Sequence, residues 1–287
     1  MPIIPLVKSE KLGFVDLLEC LDEKKTVERK IFFDEKSDMD DNMCAILGAF
    51  VRGLGYTVAF EGCNENLRKR FTNNGFIDVA GQVASNEFPQ GSIPYIEITR
   101  DDYNKQSRKT LDYIQHHILL STHVPVISEQ VKDKLQDAIH EFFANAFGHT
   151  KCTCVHACGK WDRVRKAFHI TIVNLGDTIQ DNVNRFLNSN WSADDSLRWA
   201  MVKGNSTKLD DTGGLGLSII QEFVEKNEGD FYLISGEGFM QMCGKQSSFS
   251  KMDTFFPGTI VNLVFNLKDE KRYIVSSEDR TKVNFEW

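Results

Sequence analysis

Apolar residues along this chain recur with two periods, one helical and one extended. The clearest stretch is helical. Between residues 128 and 149, Val131, Leu135, Ala138, Ile139, Phe142 and Ala146 follow one another at three- and four-residue steps, which predicts one helix with a single buried stripe. Ser128 suits its N-cap, and Glu129 sits where a carboxylate favours the positive end of a helix. Upstream, residues 27–80 predict a compact α/β unit: a strand over 27–34, a helix over 39–54 with Met43, Ile46, Leu47, Phe50, Val51 and Leu54 as its apolar face, a short apolar strand over 56–60, and a basic helix over 64–73. Gly55 and Gly75 are the stop signals of the two helices. Residues 84–100 contain Pro89, Gly91 and Pro94 and read as a loop at a domain boundary, and 101–123 as a second long helix.

Downstream of the central helix, 152–161 and 167–174 read as the strands of a hairpin. Residues 182–187 and 194–202 read as helices, 203–212 as a loop, and 215–226 as a helix ended by Gly229. Strands over 231–235 and 259–265 close the pattern, with a polar loop around 244–250 between them. The charged tail, 268–287, carries Phe285 and Trp287, which are expected to pack onto the body.

Composition narrows the class. The 287 residues include 41% apolar types and 21 Phe, enough for a sizeable core. A net charge of −7 argues against nucleic acid as a partner. The chain has no apolar run of the roughly 18 residues that a membrane helix needs, and its first residues lack the basic-then-apolar plan of a secretory signal. Seven scattered Cys fit a reducing, cytoplasmic compartment better than a disulfide scaffold. Cys152, Cys154, His156 and Cys158 invite a zinc reading. Their period of two lays them along one strand, whereas a tetrahedral ion needs ligands that converge. His116 and His117 invite a phosphoacceptor reading, but Ile118 follows them and the stretch before Asn145 is too short for a second hairpin helix.

The pattern that carries chemistry lies on the central helix. Glu141, Asn145 and His149 fall at i, i+4 and i+8, which stacks them on one face. Two glycine motifs follow. Asn174-Leu175-Gly176 ends an apolar strand, and Gly204-Asn205-Ser206-Thr207-Lys208 leads to Gly213-Gly214-Leu215-Gly216 at the start of a helix. Glycines there let backbone N–H groups approach phosphate. No Gly-Lys-Ser/Thr follows, so this is no Walker loop, and Ile219 at the third glycine position fails the dinucleotide fingerprint.

Taken in order, the Glu-x-x-x-Asn-x-x-x-His helix, the strand ending Asn-x-Gly, the Ser-Thr-Lys loop with Gly-Gly-Leu-Gly-Leu and the strand opening Gly258-Thr259 resemble the GHKL (histidine-kinase-like) ATPase superfamily, nearest its anti-sigma-factor serine kinase branch. The resemblance implies a GHKL (Bergerat) two-layer α/β sandwich over 101–267, with a mixed sheet on one side and helices on the other. It implies ATP and Mg²⁺ as cofactors, Glu141 as the catalytic general base, and Asn145 as the Mg²⁺ ligand. His149, Asn174, Gly176, Thr207, Lys208, Gly214, Leu215, Gly216 and Thr259 would complete the nucleotide site. Asn174 stands where the family has Asp, and Thr178 where it has a second glycine. Gly62, Asn64, Leu67, Gly75 and Phe76 resemble the later half of a STAS domain, which implies a STAS-like regulatory or docking domain over 1–100. Where STAS antagonists carry a phosphorylatable Ser, this chain has Asp40, Asp41 and Asn42, with Ser37 the nearest hydroxyl. The expected function is an ATPase or protein kinase of bacterial regulation, acting on a protein partner that is STAS-like or a regulatory factor, with a homodimer also open. The alternative is a nucleotide-gated binding module with slow or no hydrolysis.

Overall fold

The computed structural model describes residues 3–4, 6–8, 10–22, 28–80, 93–105, 107–119, 127–149, 151–207, 215–268 and 273–274. Its centre is a five-stranded sheet built from β5 (Ile96–Thr99), β6 (Cys154–Asp162), β7 (Ala167–Leu175), β8 (Asp230–Cys243) and β9 (Gln246–Asn266), in the order β5-β6-β7-β9-β8. Every neighbouring pair is antiparallel, so the sheet is not the mixed one that the resemblance implied. Numbering the short N-terminal strands first leaves β1 (Leu6–Val7), β2 (Lys30–Phe32), β3 (Asp38–Met39) and β4 (Thr57–Ala59). These pair in parallel as β1 with β3 and β2 with β4, and the Ile3–Phe32 bridge links β1's end to β2.

The inner face of the sheet packs on helices, which makes an α/β sandwich. α6 (Glu129–His149) and α9 (Leu215–Asn227) bury Leu135, Ile139, Phe143, Ile220 and Val224 against Ile170, Ile172, Val261 and Leu263. Within the predicted helix over 101–123, the described residues form α4 (Arg100–Lys105), α5 (Ser107–Tyr113) and a π-helical turn, Ile114–Leu119, and residues 106 and 120–123 lie outside the described residues. Arg100 explains one end of this arrangement. Its guanidinium donates to the carbonyls of Phe147 and Cys152, where the C-terminal turn of α6 needs donors.

The outer face is covered too. α1 (Lys11–Cys20), α2 (Cys44–Leu54) and α3 (Glu65–Asn73) belong to a core that includes Val173, Tyr232, Ile234, Ile260 and Val264 of the sheet. Burial on both faces accounts for the nearly unbroken apolar run of β7. Polar residues on that outer face are tied to the N-terminal unit. Asn42, fully buried, donates to Thr171 Oγ1 (2.7 Å) and Asn262 Oδ1 (3.1 Å), and Thr171 in turn donates to Asn262 (2.8 Å). Beside them, Lys160 pairs with the buried Asp40 at 2.6 Å. Ser37 is buried as well and donates to Ile4 O. The segment in which a STAS antagonist would present its phosphoacceptor therefore faces the sheet rather than solvent.

Two regions read from sequence as loops are strands. The end of the stretch 84–100 is the edge strand β5, and the polar loop around 244–250 is mostly the far end of a long β8–β9 hairpin. The register slips near Gly236, beyond which the hairpin continues past the other strands. There α8 (Ala193–Ala200) rests on it, close enough that a Cβ at Gly238 would meet Leu197 Cδ1 at 2.8 Å and Ala193 O at 3.1 Å. Among the described residues no three metal-ligating side chains converge, so the row of Cys and His on β6 forms no zinc site there. Cys154 is held as a thiol, its pKa pushed up to about 12 by burial, with Glu97 adding to it.

Two buried histidines set a pH dependence. Burial, with the Lys160 ammonium adding to it, pushes His169 down to about 4, and neither of its ring nitrogens has a partner. Burial, opposed by Glu97, pushes His156 down to about 4. The unfolded chain takes up both protons near pH 6.5 and the folded chain does not, so stability is complete above that value and falls as the pH drops toward 4. Each histidine contributes about 1.4 kcal/mol per pH unit in this window. Burial also lowers His117 and His140, which steepens the fall, and raises the Asp41 carboxyl, which opposes it. Urea midpoints measured between pH 7.5 and 4.5 should fall with acid, and His169→Gln should flatten the fall.

Candidate functional site

The inner face carries a cleft, open to solvent, between α6, the start of α9 and the sheet. α6 supplies Glu141 and Asn145, one turn apart on the wall as their spacing predicts. The floor is apolar, with Ile172, Leu233 and Val261, except for Asn174 and Thr259. These two sit directly opposite each other on β7 and β9, and Thr259 is opposite Ser235 on β8. One polar row thus crosses three strands.

That row has defined proton directions. Ser235 Oγ donates to Gly258 O (2.7 Å) and accepts from Ile179 N–H (2.9 Å). Its single proton is used, so the 3.1 Å contact with Thr259 has the threonine hydroxyl as donor. Thr259 Oγ1 is left as an acceptor. Asn174 is 8% exposed, and its Nδ2 has no hydrogen-bond partner. Gly258 allows the strands to approach here, because a Cβ at that position would lie 2.0 Å from Asn174 O.

The far wall comes from the segment after β7. Thr178, at the second position of the first glycine motif, caps α7 (Ile179–Leu187) in a reciprocal box with Asp181. This is why threonine serves there: the position starts a helix instead of keeping a loop open. α7 and α8 present Ile179, Asn182, Val183, Trp199 and Ala200 to the cleft, and Asn205, Ser206 and Thr207 follow. Asp177 also faces it and pairs with Arg185 at 2.9 Å.

The N-terminal turn of α9 is engaged by Glu141. The carboxylate Oε2 accepts from Gly216 N–H at 2.6 Å, a charge-assisted bond at the positive end of the helix. A Cβ at Gly216 would lie 2.2 Å from that oxygen, so this approach requires glycine.

Of the residues expected from sequence, Glu141, Asn145, Asn174, Thr207 and Thr259 border one cleft, and Gly216 joins it through Glu141. Leu215 opens α9 and His149 closes α6. Gly176 lies elsewhere: it lines a separate cavity with Arg52, Lys151 and His156. Its N–H bonds Pro257 O at 3.0 Å. Lys208 and Gly214 lie outside the described residues. Sequence reasoning missed Asp177, Asn182, Trp199, Asn205 and Ser235. The Thr178-x-x-Asp181 capping signature was available to place the start of α7 and, with it, Asn182.

No family model matches the chain, and no curated protein does. Among solved structures it is similar to the histidine kinase domain of the blue-light activated histidine kinase of Erythrobacter litoralis EL346. The identity is 14% and the TM-score 0.31, over 79% of this chain and 84% of that one. A likeness this coarse assigns a role to no residue.

The Glu141–Gly216 contact makes a measurable coupling. Gly216→Ala should displace the carboxylate, and Glu141→Ala should remove it. Combined, the two substitutions should cost less than the sum of their separate effects by about 1–2 kcal/mol in a double-mutant cycle of urea unfolding.

Proposed function

We propose that the chain binds ATP with Mg²⁺ in this cleft and acts as a GHKL-type ATPase or serine/threonine protein kinase on a protein partner. The supporting observation is convergence: Glu141 and Asn145 from α6, Asn174 from β7, Thr207, and Thr259 from β9 line one space, with the first turn of α9 at its edge. The apolar lining of the cleft with few polar groups suits a nucleotide. The donor chemistry fits Mg²⁺, because Asn145 offers an amide oxygen, and this ion takes few protein oxygens alongside phosphate and water. When bound, the ion would neutralise charge on the transferred phosphoryl group.

The chain's own residues then have distinct tasks. Thr259 and Asn174 meet the base at the floor, and Trp199, Phe142 and Ile179 exclude water around it. Gly216 N–H offers a donor to phosphate at a helix N-terminus. Glu141 orients the attacking water or protein hydroxyl and takes its proton. Glu141 and a phosphate oxygen compete for the same N–H, so phosphate entry releases the carboxylate for that task. In the finer form of this reading, the acceptor is a Ser or Thr on a STAS-like or other regulatory partner.

The same contact favours a second reading. A carboxylate that holds α9 until phosphate arrives makes nucleotide binding a conformational event, as a nucleotide-gated binding module needs, with or without hydrolysis. Incubation with γ-labelled ATP and partner proteins separates the cases: label appears as free phosphate, on protein, or remains in ATP.

ATP with Mg²⁺ should raise the melting temperature of the full chain. Asn145→Ala should abolish most of the Mg²⁺-dependent part. An unchanged Mg²⁺ response in a folded variant removes Asn145 from the site. Glu141→Gln should keep ATP bound and lower turnover by roughly 10²-fold. A Glu141→Gln protein that turns over like the wild type excludes this residue as the base.

A further inference from the structure

On the outer side of the sheet a second cavity lies between the C-terminal turn of α2 and the ends of β6 and β7, with Arg52, Lys151, Thr153, Cys154, His156 and Gly176 in its lining. The deeply buried polar group of this lining is His156, 2% exposed. The proton on its ring is placed by its neighbours. Tyr95 Oη donates to Glu97 Oε1 at 2.9 Å and lies 2.8 Å from His156 Nδ1. A carboxylate only accepts and a phenol has a single proton, so Nδ1 is the donor of the second bond and Nε2 carries a lone pair. With Nδ1 taken by Tyr95, Nε2 is the nitrogen left for the cavity. Burial, opposed by Glu97 and aided by Arg52, pushes the ring's pKa down to about 4, so it keeps this form at neutral pH. Burial and Glu97 raise Tyr95, which keeps its proton as well.

The rest of the lining sets the charge. It contains two cations and no carboxylate. Arg52 is held at Nε by Glu97 (2.9 and 3.2 Å), and neither its Nη groups nor the Lys151 ammonium has a hydrogen bond among the described residues. A metal ion on Nε2 would meet both cations and, at Cys154, a thiol that burial keeps protonated. An anion suits the cations, but the Nε2 lone pair repels any anion oxygen that lacks a hydrogen. An oxyanion that brings its own proton meets both demands. Inorganic phosphate has a P–OH on either side of neutral pH. Sulfate has the same shape and no proton, and a phosphomonoester loses its last one above about pH 6.

We infer that this cavity binds inorganic phosphate, held by Lys151 and Arg52 and recognised through its P–OH by His156 Nε2. The site is independent of the nucleotide cleft, whose lining includes none of these three residues.

The test is a titration of the full chain, labelled with nitrogen-15 histidine, at about pH 8 and constant ionic strength. Phosphate, sulfate and phosphoserine are compared by long-range proton–nitrogen NMR. His156 is assigned by its loss in His156→Gln, or from the backbone should that variant not fold. The free protein should show the Nδ1–H form, and phosphate should shift Nε2 saturably. Sulfate and phosphoserine should bind at least about tenfold more weakly, the scale of a buried acceptor that faces an unprotonated oxygen. Lys151→Ala, at an exposed position, should weaken phosphate by about threefold or more, as loss of a bond to a charged group does. An Nε2–H form in the free protein, or an Nε2 signal that phosphate leaves unmoved, overturns the inference. Equal affinity for the three anions shows an adventitious ion only and overturns it as well, as does a Lys151→Ala protein with unchanged phosphate affinity.

Discussion

Everything in this structure depends on β7 and the part of β9 beside it, residues 258–266, being covered on both faces. Each pairs on both edges, and apolar residues cover both faces. Any polar side chain placed on them must find a partner within the protein or face an opening. The chain contains both cases a few residues apart. On the outer face, Thr171 and Asn262 sit in register and are closed over by Asn42. On the inner face, Asn174 and Thr259 sit in register and open onto a cleft. The residue types are nearly the same. What separates the closed polar row from the open one is whether a neighbouring element seals it.

The parts legible in the sequence were those where one residue's local needs decide the outcome. The three- and four-residue steps of α6 placed Glu141 and Asn145 on one wall, because helical phase is set by the backbone alone. The glycines before α9 marked a close approach, and Gly216 makes one, although its contact here is with a carboxylate of the same chain. The unread parts depend on long-range packing. The β8–β9 hairpin runs beyond the rest of the sheet, so several of its residues are exposed and polar, and the stretch reads as loop. Trp199 and Asn205 reach the cleft only because α8 is seated on that hairpin, which no local pattern announces. The edge strand β5 follows two prolines, and pairing with β6 makes it a strand despite the loop-like sequence around it.

Glu141 ties the cleft wall to the start of α9. With its oxygen on Gly216 N–H, it satisfies one of the orphan donors in the first turn of α9.

The core shared by the N-terminal unit and the outer face also bears on how such a chain could be inherited. A module joined by a linker can be lost, duplicated or exchanged with little harm to its neighbour. Here removal of the first eighty residues would strip cover from Val173, Tyr232, Ile234, Ile260 and Val264 and leave Lys160 without Asp40. Shuffling would therefore need compensating changes across a whole sheet face at once. The two halves are bound to descend together, and substitutions on the back of the sheet will be answered by substitutions in α1 and α2.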